Sequence, residues 1–306
     1  MTKRVPKFSI LISTKNRVAD LLFTLSKVNH LINNHDVECI VFDDGSTDDT
    51  FDKVAMEFPN IKLFRNEISK GYIYCRNKML NSNTATFAIS LDDDAHFLSD
   101  NCLELFESHF NNNLQCGLIA CRIFWGVDPP LATATNQKNQ RVAGFVGCAH
   151  VWRMSSWQQI PNYPEWFLFY GEENFAAFQL FKKNIEIHYL PNVLVHHRVD
   201  LIARYTALDY QKRQRSSFRS GWYLIFLFYP KKIIPKKLVY TFWIQLKTKL
   251  FRGNFNGLTG VLQGITDVAI NSRHISGNSN RLTIQEYKDY NKLQPAKVFW
   301  FPHHEI

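Results

Sequence analysis

Hydrophobic and polar residues alternate in blocks along the first two thirds of the chain, and the blocks come in two lengths. Phe8 to Ser13, Val37 to Phe42, Ile61 to Phe64 and Phe87 to Leu91 are short apolar runs, the length of buried strands. Between the first two, Val18, Leu21, Leu22, Leu25, Val28, Leu31 and Ile32 recur at helical spacing and predict a helix over Val18 to Ile32. Ser46 or Thr47 is placed to cap a second helix running to about Phe58, and Gly71 to Leu80 reads as a loop entering a third. This β-α-β-α-β-α-β alternation predicts a mainly parallel central sheet with helices on both faces.

The pattern then loosens. Asn101 to Phe110 reads as a helix and Cys116 to Phe124 as a strand, followed by a polar loop, Asp128 to Gln140, expected to be mobile. Val142 to Met154 alternates small and apolar residues, and Gly144 and Gly147 are expected to allow close backbone approach. The aromatic run Trp166 to Tyr170 and Gly171 lead into Glu172, Glu173 and a helix to about Lys183. Ile187 to Leu190 reads as a strand that meets Pro191, and Val193 to Val195 as another that ends on His196, His197 and Arg198. Past Ala203, helical patterns dominate to about Ile270. The expected division is therefore 1–203 and a basic, mostly helical 204–306.

Polar clusters fall where the strands end. Thr14-Lys15-Asn16-Arg17 follows the first strand, Asp43-Asp44-Gly45-Ser46 the second, and Asp92-Asp93-Asp94 the fourth. Ligands in parallel sheets bind at the carboxyl ends of strands, so these clusters converge on one rim. Three adjacent carboxylates at a poorly solvated strand end repel one another, and a divalent cation completed by substrate phosphates would relieve them. A carboxylate such as Asp44 can accept hydrogen bonds from a nucleobase imide or a ribose hydroxyl, or simply shape a turn. Aromatic walls around Glu172 and Glu173 would raise a carboxylate pKa toward that of a general base, although acidic residues also favour helix N-termini.

With 306 residues, 45% of them apolar, the chain can bury a substantial core. The six cysteines show neither a CxxC pair nor His-rich spacing, so no disulfide framework or zinc site is expected. No apolar stretch reaches the ~18 residues of a spanning helix, and Phe8 to Ile12 is too short for a signal sequence. A cytoplasmic location follows as the expectation. The net charge of +9 is uneven: residues 1–199 carry 19 basic and 21 acidic side chains, residues 200–306 carry 17 and 6. A basic tail flanking Trp222 to Tyr229 suggests an anionic membrane surface, at the inner face of the cell membrane; no nucleic-acid-binding module is recognisable.

In order and spacing, the motifs Phe8 to Arg17, Val41 to Asp48, Gly71 with Arg76-Asn77, Leu91 to Asp94, Gly171 to Glu173 and His197-Arg198 resemble the family 2 glycosyltransferases. The resemblance covers about residues 7–200 and implies the GT-A nucleotide-sugar-binding fold. It implies that Thr14, Asn16 and Arg17 line the nucleotide pocket, that Asp44 holds the base edge, and that Arg76, helped by Lys70, approaches the diphosphate. Asp92 and Asp94 would form the DxD pair that holds Mn2+ or Mg2+, Asp94 as direct ligand and Asp92 or Asp93 nearer the ribose or sugar. His197 would close the metal site. Glu173 stands where the family usually has an aspartate as general base, which leaves the choice between Glu172 and Glu173 open. The implied activity is inverting transfer from a nucleotide-diphosphate sugar, with UDP as carrier, to a glycan or lipid-linked acceptor such as an envelope polysaccharide.

Two other readings compete. A haloacid-dehalogenase-type phosphatase would use Asp92 as nucleophile and Asp94 as acid/base, but its DxD usually lies near the start of the fold, and here two strand-end motifs precede it. A non-enzymatic module would use the basic tail to bind membrane or nucleic acid.

Overall fold

Strand β1 (Phe8–Thr14) shows how the sheet is built. Its alternate side chains point to opposite faces, Phe8, Ile10 and Ile12 to one and Ser9, Leu11 and Ser13 to the other, and both faces are covered. Ile10 and Ile12 enter one core with Leu21, Leu25 and Val28 of helix α1 (Val18–Ile32). Leu11 enters the other, with Ile73 and Leu80 of α3 (Tyr72–Ser82). The computed structural model describes residues 5–200, 203, 209–250, 253–295 and 298–300.

β1 pairs in parallel with β2 (Val37–Asp43) and β4 (Phe87–Asp92), and β2 in parallel with β3 (Lys62–Arg65). The remaining strands are β5 (Ala95–Phe97), β6 (Cys116–Trp125), β7 (Gln140–Val142), β8 (Ala149–Arg153), β9 (Glu186–His197) and β10 (Val298–Trp300). β8 runs antiparallel between β4 and β6, giving the order β3-β2-β1-β4-β8-β6-β9-β5. The sheet is parallel on the β3-to-β4 side and mixed beyond. Helix α2 (Thr50–Glu57) follows β2, and α4 (Cys102–Asn112) adds Phe106 and Phe110 to the core of α1. α5 (Met154–Trp157) and α6 (Glu172–Lys182) cover the opposite face.

Four local expectations change. Ser46 and Thr47 cap no helix, because they tie the rim together: the Ser46 hydroxyl accepts from the Asn16 N–H (2.9 Å) and the Thr47 N–H donates to the Asn16 side chain (2.7 Å). α2 consequently starts at Thr50, with Asp49 at its N-cap. β9 is one strand through Pro191; the proline, which lacks an N–H, falls where the register against β6 slips between Cys121 and Arg122. A side chain built at Gly144 would meet nothing within 4 Å, so only Gly147 permits close approach.

The fourth change concerns the C-terminal helices. Trp222 to Tyr229 lies in α7 (Tyr210–Phe228) and its end, where Tyr223, Leu224, Leu227 and Phe228 are buried in the same core as Phe175 and Phe178 of α6. Most of this stretch is thus packed inside the protein, with Trp222, Phe226 and Tyr229 partly exposed. α8 (Ile234–Leu250) and α9 (Phe255–Ile270) pack beside α7. The expected boundary after residue 203 adjoins 204–208, which lie outside the described residues. Among the described residues no helix is long and apolar enough to cross a membrane.

Candidate active site

The carboxyl ends of β2, β1 and β4 are neighbours in the sheet, so the three polar clusters meet as one rim. At the end of β1, the buried Thr14 hydroxyl donates to Asp93 Oδ2 (2.8 Å). Asn16 takes the left-handed backbone (φ 53°) that asparagine tolerates, and this turns its side chain toward the loop after β2. Arg17 reaches back across the rim, with Nη2 2.8 Å from Asp94 Oδ2 and Nε 3.3 Å from Asp93 Oδ1. Burial pushes Asp93 up to about 7 against the pull of Arg17, the Asp94 charge adding to the rise.

Asp44 faces the neighbouring loop. Its Oδ1 accepts from Asn66 Nδ2 (2.7 Å) and the Lys70 N–H (2.8 Å), its Oδ2 from Ser69 Oγ (2.6 Å) and the Gly71 N–H (2.9 Å). Burial would raise its pKa, but these four bonds outweigh it and hold the carboxyl below its usual range. All four acceptor positions are therefore used within the chain. The Lys70 ammonium lies 4.8 Å over the Tyr74 ring, at the surface and away from the aspartates' partners.

Arg76 is the central cation. It is 4% exposed, and its Nη2 binds Asp92 Oδ1 and, at 3.1 Å, the Gly147 carbonyl; Nη1 lies 3.5 Å from Glu172 Oε1. Its charged form is held strongly, because burial is outweighed by the Asp92 and Glu172 carboxylates. His197, at the end of β9, brings Nε2 to 2.9 Å from Asp94 Oδ1 and 4.0 Å from Asp92 Oδ2. Burial would raise the Asp94 pKa, but His197 and Arg17 hold it well below the usual carboxylate range.

These contacts test the rim for a metal. Arg76 takes Oδ1 of Asp92 and Arg17 takes Oδ2 of Asp94, leaving Asp92 Oδ2 and Asp94 Oδ1 facing the His197 nitrogen. Ligand atoms of the three side chains lie within 4.8 Å of one another, with His197 and Asp94 in contact with each other. Two carboxylates and an imidazole fit a divalent ion such as Mn2+. One other such group exists among the described residues, His109, Cys116 and His188, at the opposite ends of β6 and β9. Cys116 thus has histidine company that its sequence spacing does not show. There the imidazoles hydrogen-bond each other (2.8 Å) and His188 bonds Glu186 (2.8 Å), so the nitrogens have partners without an ion.

Glu172 and Glu173 open α6 beyond Arg76. The chain enters through Leu168 (φ 63°), Tyr170 (φ 65°) and Gly171 (φ 90°), a strained turn clamped from α7 by Arg219 on the Phe167 carbonyl and Ser220 on the Phe169 carbonyl (3.1 Å). Glu172 is 1% exposed, with Oε1 facing Arg76 and Oε2 without a hydrogen-bond partner; burial raises its pKa although Arg76 opposes. Glu173 is half-buried beside Gly147, and burial followed by the Glu172 charge pushes it up to about 8. A Cβ on Gly147 would stand 2.4 Å from Glu173 Oε1 and 3.3 Å from Arg76 Nη1. Gly147, Arg219 and Ser220 were invisible as site residues in the sequence; only the small-residue pattern around Gly147 signalled a close approach.

This covered sheet, with its rim of arginine-braced carboxylates, has the GT-A glycosyltransferase fold. The chain belongs to glycosyl transferase family 2, whose family model matches residues 9–163. The fold is shared with GalNAc-T7, solved with UDP, GalNAc and Mn2+ (14% identity, TM-score 0.58, 75% of this chain and 49% of that one). It is shared with the mannosyltransferase PcManGT of Pyrobaculum calidifontis, solved with GDP-Man and Mn2+ (12% identity, TM-score 0.54, 94% and 79%). S. aureus TarS is also similar (16% identity, TM-score 0.50, 68% and 38%). The chain spans about half the length of the GalNAc-T7 chain. No curated protein sequence matches it. The family displaces the phosphatase alternative.

Proposed function

We propose that the protein is a divalent-metal-dependent, inverting glycosyltransferase that moves a sugar from a UDP-sugar to a hydroxyl of a glycan or lipid-linked acceptor. The observation that carries this reading is the convergence of Asp92, Asp94 and His197 ligand atoms within 4.8 Å of one another, beside the Arg76 side chain that binds Asp92 and also reaches Glu172, next to the half-buried Glu173. Asp92, Asp94 and His197 would hold Mn2+ or Mg2+. When bound, the ion supplies positive charge for the departing diphosphate.

Arg76 adds charge on the same side and fixes the Asp92 carboxylate. Glu173 takes the proton from the acceptor hydroxyl, since it alone of the two glutamates is partly exposed. Glu172 is a positioning residue, buried against Arg76. One base and no second nucleophile imply a single displacement with inversion. Thr14, Asn16, Arg17 and Asp44 shape the nucleotide side, with Asp93 near the ribose; a base reaches Asp44 when the Ser69 hydroxyl rotates away. Lys70 approaches the diphosphate only by leaving Tyr74. UDP is supported by the nucleotide of GalNAc-T7, and the GDP-Man of PcManGT makes GDP the competing carrier.

The test is the anomeric configuration of the product, read by NMR, with UDP-, GDP- and dTDP-sugars and Mn2+. Transfer from an α-linked donor should give a β-linked product. Retention would overturn the single displacement.

A further inference from the structure

The basic excess is more concentrated than the halves of the chain suggest. From Tyr210 to Thr266 the sequence has eleven Lys and Arg and no Asp or Glu. In the middle of this segment lies α8, whose central stretch from Leu238 to Leu246 is apolar except for Thr241 and Gln245. A helix of that kind is normally covered on every side. Its Leu238, Phe242, Ile244 and Leu246 are partly covered by the protein, yet Val239, Tyr240 and Trp243 are 71%, 59% and 55% exposed.

These three residues share one face, at the i, i+3 and i+4 spacings that make helical neighbours. Lys236 and Lys247 continue the same exposed stripe at either end, and Lys231 and Lys232 stand exposed just before it. A face made only for solvent would carry charge along its length. A second copy of this chain would set lysines against lysines, with no acidic residue in the segment to pair them. An anionic bilayer supplies both missing partners: acyl chains and glycerol backbones for Val239, Tyr240 and Trp243, and headgroup charge for the lysines around them.

We propose that α8 is an in-plane docking helix that lays its Val239, Tyr240 and Trp243 face into anionic lipid. The position of the cleft agrees. A cavity of about 620 Å³ runs from Thr241 and Gln245 of α8, past Trp222 and Phe145, to Asn174, the residue after Glu173. An acceptor carried by the bilayer would reach the base along this path, and that part rests on the transferase reading above. The docking itself does not.

The full-length protein is floated with vesicles of phosphatidylcholine alone and of phosphatidylcholine with phosphatidylserine, at low and high salt. It should float only with the anionic vesicles and leave them at high salt. Trp243→Glu and Tyr240→Glu should each cut binding at least tenfold, and Lys236→Glu with Lys247→Glu should flatten the salt dependence. Nucleotide affinity should be unchanged in all of them, which separates this test from failure of the transferase reading. Absence from the anionic vesicles, or Trp243→Glu that binds like wild type, would overturn the proposal. So would a dimer in sedimentation that Trp243→Glu dissolves, since the face would then belong to a second copy.

Discussion

Glu173→Gln separates charge from shape at the proposed base. Burial and the neighbouring Glu172 charge lift Glu173 from 4.5 to about 8. Between those values the folded protein holds a proton that the unfolded chain has released, so stability falls as pH rises through this window. From about pH 6 to about pH 9 the raised group costs about 2–3 kcal/mol, at ~1.4 kcal/mol per pKa unit. Glutamine does not titrate and relieves Glu172 as well. The variant should therefore match wild type only below about pH 4.5 and already melt higher near pH 6, with the gap widening by about 3–5 °C between pH 6 and pH 9 for a chain of this size, by calorimetry in matched buffers. Activity should move the other way. Wild-type kcat/KM should climb about tenfold per pH unit to a plateau near 8, whereas Glu173→Gln should be flat in pH and lower by about 10²–10⁴. An unchanged inflection in Glu173→Gln, or its loss in Glu172→Gln instead, would refute the assignment.

Asp94→Asn should abolish Mn2+-dependent turnover while far-UV circular dichroism stays native, because an amide is a poorer metal ligand and Asp94 Oδ1 faces the proposed ion; unchanged Mn2+ dependence would exclude Asp94 as ligand. Gly147→Ala should lower kcat at least tenfold by pushing the Glu173 carboxylate aside, whereas Gly144→Ala, with open space around it, should behave as wild type; equal kinetics for the two would remove Gly147 from the site. Arg219→Met should cost about 3 kcal/mol in denaturant unfolding, since it strips the buried Asp267 of one partner and frees the Phe167 carbonyl; a loss below about 1 kcal/mol would mean the clamp is not structural.

The sequence made the rim legible because its chemistry is local. Each of Thr14, Asp44 and Asp92 to Asp94 ends an apolar run, and strand ends need no distant partner to be recognised. What stayed hidden depends on contacts made across the fold. β5 is three residues long and exists only against the end of β9. Ser46 and Thr47 look like caps, but Asn16, thirty residues earlier, competes for them and wins. The difference between Glu172 and Glu173 lies in Arg76, which no spacing links to them. Trp222 to Tyr229 reads as an interfacial stretch until α6 is seen to pack on it, while the exposed aromatics Tyr240 and Trp243 lie in the next helix. Helical spacing shows that a face is apolar; only the fold shows what faces it.

The central claim is that this rim binds a nucleotide diphosphate through a divalent ion. Isothermal titration of the full-length protein with UDP, GDP and dTDP, each with and without Mn2+, tests it most directly. The account predicts saturable UDP binding that needs Mn2+ and is lost in Asp94→Asn. Failure of every nucleotide to bind in any metal condition, by a protein whose melting curve is intact, would contradict it.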